Sequence, residues 1–111
     1  MKVIEIKCDH DPFIDISKGI KKAEFRKNDR DYQTGDILFL KQTRINDRDH
    51  YTGYWILADV VHVMDLFEYM KQCIPCECSM IIKQGDLDFV MLSIKPFRQY
   101  LGNFSGVENL C

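Results

Sequence analysis

The chain has 111 residues, 46% of them hydrophobic and 29% charged, with seven Phe, five Tyr and one Trp. That is the composition of one globular domain with a real core, which excludes a disordered segment or a two-domain chain. Fifteen basic against seventeen acidic residues leave a formal net charge of −2, which excludes coating nucleic acid by bulk charge but leaves room for a local basic groove.

Val3 to Cys8 reads as a first strand, with Ile4, Ile6 and Cys8 on one face and Glu5 and Lys7 on the other. A short helix follows, with Asp11 as N-cap, Pro12 at the first helical position and Gly19 just past its end. Phe13, Ile16 and Ile20 fall at helical spacing and predict one buried stripe. Lys21 to Lys27 reads as extended, with Ala23 and Phe25 toward the core and Lys22, Glu24 and Arg26 outward, Glu24 and Arg26 lining a concave surface. Turns are expected at Asn28-Asp29-Arg30 and at Thr34-Gly35-Asp36.

Ile37 to Thr43 is a strand with apolar residues on both faces, hence covered from two sides. The polar run from Arg44 to Thr52 reads as a solvated hairpin loop closed by Gly53. Tyr54 to Met64 is the longest strand and suits a curved barrel wall, with His62 as a hydrogen-bonded wall residue. Leu66 to Gln72 can form a helical turn, and Cys73 to Asp86 reads as a loop. Phe89 to Lys95 is the last strand, stopped by Pro96, and the tail from Phe97 to Cys111 carries no clear signal. The alternating βαβ pattern and any Gly-rich phosphate loop are missing, which argues against a doubly wound nucleotide-binding fold.

No apolar run approaches the length of a membrane helix, since Trp55 to Met64 is broken by Asp59 and His62. The alternating N-terminus lacks a signal peptide's hydrophobic region, so a cytosolic location with reduced thiols is expected. Five cysteines cannot all pair within one chain. Cys73, Cys76 and Cys78 form a C-x-x-C-x-C cluster that could bind zinc with Cys8, His10 or His62, but no second knuckle accompanies it, and the expectation is no metal and no cofactor.

The densest polar segment runs from Lys18 to Tyr32. Within it, Gly19-Ile20-Lys21-Lys22-Ala23-Glu24-Phe25-Arg26 follows the pattern G-x-K-x-x-E-x-R, which resembles the signature of the ASCH group of PUA-like domains. The continuation Arg26-Lys27-Asn28-Asp29-Arg30 with Gly35-Asp36 is similar to a bacterial and phage subgroup of unknown function. The resemblance covers about residues 3 to 64, and the Cys73 to Cys78 insert has no counterpart in it. It implies an α+β fold over residues 1–111: a small PUA-like, ASCH-type mixed β-barrel of about five to six strands with one or two short helices.

It also implies a cleft beside the first helix that binds RNA or a nucleotide-like ligand. Lys21, Glu24 and Arg26 would sit in that cleft, with Lys27, Asn28, Asp29 and Arg30 at its rim. Lys and Arg would contact phosphates, Glu24 would accept from an exocyclic amine, and Tyr32 would stack a base. A structural alternative is that Glu24, with Lys21 or Arg26, holds the strand–helix junction. Some ASCH-like proteins resemble hydrolases in which a Lys activates a Thr to cleave acylated nucleosides. Lys21 fits that lysine, but Glu24 stands where the Thr is expected, so Lys21 and Glu24 are the catalytic candidates only if the carboxylate acts as a base. A third reading makes the barrel a phage or host interaction scaffold.

Overall fold

A computed structural model describes residues 1–73 and 88–102. The chain forms β1 (Val3–Cys8), α1 (His10–Ser17), β2 (Ala23–Lys27), β3 (Ile37–Arg44), β4 (Asp47–Asp65), α2 (Leu66–Cys73) and β5 (Phe89–Tyr100). The fold class is α+β: a five-stranded mixed sheet in the order β1-β3-β4-β5-β2, with two short helices. β1 and β3 are parallel, and every other neighbouring pair is antiparallel. The sheet curls into a half-barrel around one core. Strict alternation places Ile4, Ile6 and Cys8 inside, against Leu38 and Leu40 of β3. Phe13 and Ile16 of α1 plug the same core, each worth about 1.5–3 kcal/mol of apolar burial.

Helix α1 begins earlier than the punctuation predicts, with Asp9 as N-cap in place of Asp11. Gly19 takes a positive φ of 77° just beyond the helix, as expected. The chain leaves the helix there, so Ile20 falls off the buried stripe and is 69% exposed.

The strand β2 is inverted relative to expectation. Glu24 is 7% exposed, whereas Phe25 is 58% exposed. The pairing explains this. Glu24 lies opposite Leu92 of β5, which faces the core, and Phe25 lies opposite Met91 on the outer side. β2 is the last strand of the sheet, so its inward face borders the half-barrel's open side, where charged residues can be accommodated.

The polar run after β3 is strand, not loop. Only Ile45 and Asn46 form the turn, with Asn46 at φ 56°. Between the pairs Thr43↔Tyr51 and Arg44↔Asp47, β4 carries Arg48, Asp49 and His50 with no opposite residues on β3. A second irregularity adds Val61 between Val60↔Ile94 and His62↔Ser93. That extra residue shifts the phase of the strand, and His62 is consequently exposed. β5 does not stop at Pro96. It continues to Tyr100 through a bulge, with Ala58 opposite Pro96 and Leu57 opposite Arg98.

Cys73 ends α2, while Cys76, Cys78 and Cys111 lie outside the described residues. No described helix is long and apolar enough to cross a membrane.

Candidate functional site

The two edge strands, β1 and β2, are not joined by a backbone ladder. Arginine side chains bridge them instead. Arg26 Nη2 donates to the carbonyl oxygen of Lys7, and Arg30 Nη1 donates to that of Glu5 at 3.3 Å. Glu5 and Lys7 are two residues apart on β1, so their carbonyls leave the strand on the same side. The seam is therefore stapled by guanidinium groups and remains open as a cleft.

Three cavities make up this cleft. One of about 380 Å³ lies between β1 and the segment from Arg26 to Tyr32. A second, about 340 Å³, reaches Cys8, Lys21 and Glu24. The two share Lys7, Arg26 and Arg48. A third of about 360 Å³ runs under the β3–β4 turn and shares Asp9, Pro12 and Arg48 with the second. Arg48 thus lines all three.

The motif residues Lys21, Glu24 and Arg26 come together on the cleft wall. Lys21 Nζ lies 2.9 Å from Glu24 Oε1 and also donates to the Ala23 carbonyl. Arg26 Nε lies 3.2 Å from Glu24 Oε2, close enough for charge attraction but too poorly aligned for a hydrogen bond. That buried N–H consequently has no acceptor among the described residues, an arrangement that costs about 1–3 kcal/mol unless a ligand or solvent atom completes it. Each oxygen of Glu24 already faces a cation, so the carboxylate positions Lys21 and Arg26 across the start of β2.

Lys27, Asp29 and Arg30 line the first cavity. Asn28 is outside that lining, and its backbone N–H donates to the Asp88 carbonyl at 2.9 Å. Tyr32 is only 5% exposed, and burial pushes its phenol above the ordinary value. It floors the cavity, leaving no open ring face of the kind a stacking platform needs. Tyr51, 38% exposed, borders the same cavity, with Lys41 Nζ 4.4 Å from its ring centre.

Cys8 lies at the inner end of the cleft. Burial first, then the nearby Glu24 carboxylate, push its thiol up to about 12, so it is a neutral apolar group and not a nucleophile. Among the described residues, no group of three or more His, Cys, Asp or Glu side chains could hold a metal ion.

Sequence reasoning missed Lys7 and Arg48. Lys7 had a signal, since it alternates outward on β1 beside Glu5. Arg48 had none, because it reaches the cleft through an irregular stretch of β4 that resembles a loop in sequence.

The family model for a domain of unknown function (DUF3850) matches residues 3–74. Among solved structures, the crystal structure of "hypothetical protein PH0355" has a similar fold, with a TM-score of 0.53 and 19% identity over 87% of this chain and 100% of that one. No curated protein matches the chain.

Proposed function

The chain belongs to the DUF3850 family, a domain of unknown function, and from that premise we propose that it is a PUA-like domain of the ASCH type whose β1–β2 cleft binds single-stranded RNA or a nucleotide-like ligand in the cytosol. The observation that carries this reading is the local charge. Lys7, Arg26, Lys27, Arg30 and Arg48 border the first cavity against only Glu5 and Asp29, on a chain whose net charge is −2. Concentrating cations at one recess is what phosphate recognition requires and what general solubility does not. The cavity has the size of a small-ligand pocket, which suits a nucleotide or a short single strand. Tyr51, which borders the same cavity, would stack a base.

Binding of a fluorescently labelled eight-nucleotide RNA, followed by anisotropy across a salt series, tests the proposal. Arg30→Ala is the informative variant, because Arg30 is exposed and, among the described residues, its side chain is held by the 3.3 Å contact with the Glu5 carbonyl. Affinity should fall about three- to tenfold, and the salt slope should shrink by about 0.7, the share of one phosphate contact on a single strand. A folded protein that binds no RNA and no mononucleotide at low salt would remove the proposal. Turnover of an acylated cytidine, abolished by both Lys21→Ala and Glu24→Gln in folded protein, would replace it with the hydrolase.

A further inference from the structure

The ion pair between Asp9 and Arg48 lies where the second and third cavities meet, and we propose that it is a latch: an incoming phosphate takes Arg48 away from Asp9. The inference rests on the anion-binding reading of the same cleft and adds the residue that closes around the ligand.

Four observations support it. Arg48 is the side chain common to all three cavities, so it is the group best placed to reach a ligand in any of them. Its Nε lies 2.7 Å from Asp9 Oδ1, but the two side chains are 60% and 56% exposed. Exposed pairs of this kind hold weakly, and a phosphate offers the guanidinium a more highly charged, bidentate partner. Asp9 also has somewhere else to go. It is the N-cap of α1, with φ −63° and ψ 159°, yet its side chain makes no capping hydrogen bond. Once released, the carboxylate can turn to the Asp11 N–H at the start of the helix, which is the usual role of an aspartate at this position. Finally, Arg48 opens the three-residue stretch of β4 that has no partners on β3. The hairpin can therefore shift there without breaking matched pairs of the ladder.

In the closed arrangement Asp9 does two things. It occupies Arg48, and it places a negative charge beside the guanidinium that an anion would engage. Removing that charge should therefore favour binding, provided Arg48 is present to use the freedom.

The test uses inorganic pyrophosphate as the probe, with the wild type, Asp9→Asn, Arg48→Ala and the double variant compared by calorimetry at low salt. Asn is itself a strong N-cap residue, so Asp9→Asn preserves the helix start. It should tighten pyrophosphate binding about threefold. Arg48→Ala should weaken binding about tenfold, and the double variant should behave like Arg48→Ala alone. The ¹⁵Nε resonance of Arg48 should move when pyrophosphate is added to the wild type. Equal or weaker binding by Asp9→Asn overturns the latch, as does the same tightening in the Arg48→Ala background, which would be a general charge effect. Absence of pyrophosphate binding in every variant overturns it as well. The eight-nucleotide RNA separates the two ideas: a latch that responds to pyrophosphate in a protein that binds no RNA keeps this inference and removes RNA as the ligand.

Discussion

Glu24→Ala should destabilise the protein by about 2–4 kcal/mol and abolish ligand binding together, an outcome that a purely ligand-contacting residue would not produce. The carboxylate lies between Lys21 Nζ and Arg26 Nε, at 2.9 and 3.2 Å, and is itself buried. Removing it leaves two cations facing each other without their shared counter-charge. Breaking a fully buried pair costs about 3–5 kcal/mol. Here the lysine and arginine side chains are 32% and 21% exposed, so water recovers part of the loss. Glu24→Gln keeps the volume and one acceptor and should fall between wild type and Glu24→Ala. Urea unfolding followed by circular dichroism gives the stability, and anisotropy gives the binding. A Glu24→Ala protein as stable as the wild type would show that the carboxylate does not organise the wall of the cleft.

Asp36→Ala should cost about 2–3 kcal/mol without touching the cleft. Asp36 is buried and accepts from Lys2 Nζ at 2.8 Å, from the Gln33 N–H at 2.9 Å and from the Lys2 N–H at 3.1 Å. It ties the N-terminus to the turn that leads into β3, beside the backbone bond from the Ile37 N–H to the Lys2 carbonyl. Burial pushes its carboxyl up, but the bonds from Lys2 and Gln33 together outweigh burial and hold it below the ordinary 3.8. Between that lowered folded value and 3.8 the unfolded chain binds more protons, so stability rises with pH through the window. The contribution is fully present above the window and is lost as pH falls through the folded value. Asp36→Asn should therefore be less stable at neutral pH and show a shallower acid limb in thermal melts. An unchanged acid limb would assign the acid sensitivity to other carboxylates.

These two residues show what the motif resemblance contains. Gly35-Asp36 belongs to the same resemblance as Lys21, Glu24 and Arg26, yet its aspartate fastens the chain terminus and does not reach the cleft. Periodicity was a good guide where both faces of a strand were distinct, as in β1, whose inward Ile4, Ile6 and Cys8 follow the alternation. In β2 it grouped the residues correctly but assigned the groups to the wrong sides. Alternation tells which residues share a face but not which side that face takes, and in β2 the inward face is the one that carries Glu24. The hairpin arm after Asn46 reads as loop because Arg48, Asp49 and His50 are polar, and Pro96 reads as a stop because a bulge cannot be inferred from one residue. The site was legible only as far as it was local in sequence. Lys21 to Arg30 could be found from the motif, whereas Lys7 and Arg48 join it through curling of the sheet, which brings together residues 41 positions apart.

A ¹H–¹⁵N shift map of the wild-type protein titrated with the eight-nucleotide RNA tests directly whether the β1–β2 cleft takes the ligand. Perturbations are expected at Glu5 to Lys7, at Arg26 to Arg30 and at Arg48 to Tyr51, three separated stretches of chain that meet at the cleft. Perturbations confined to the outer apolar groove at Phe25, Met64 and Tyr69, or no perturbation at saturating RNA, would contradict it.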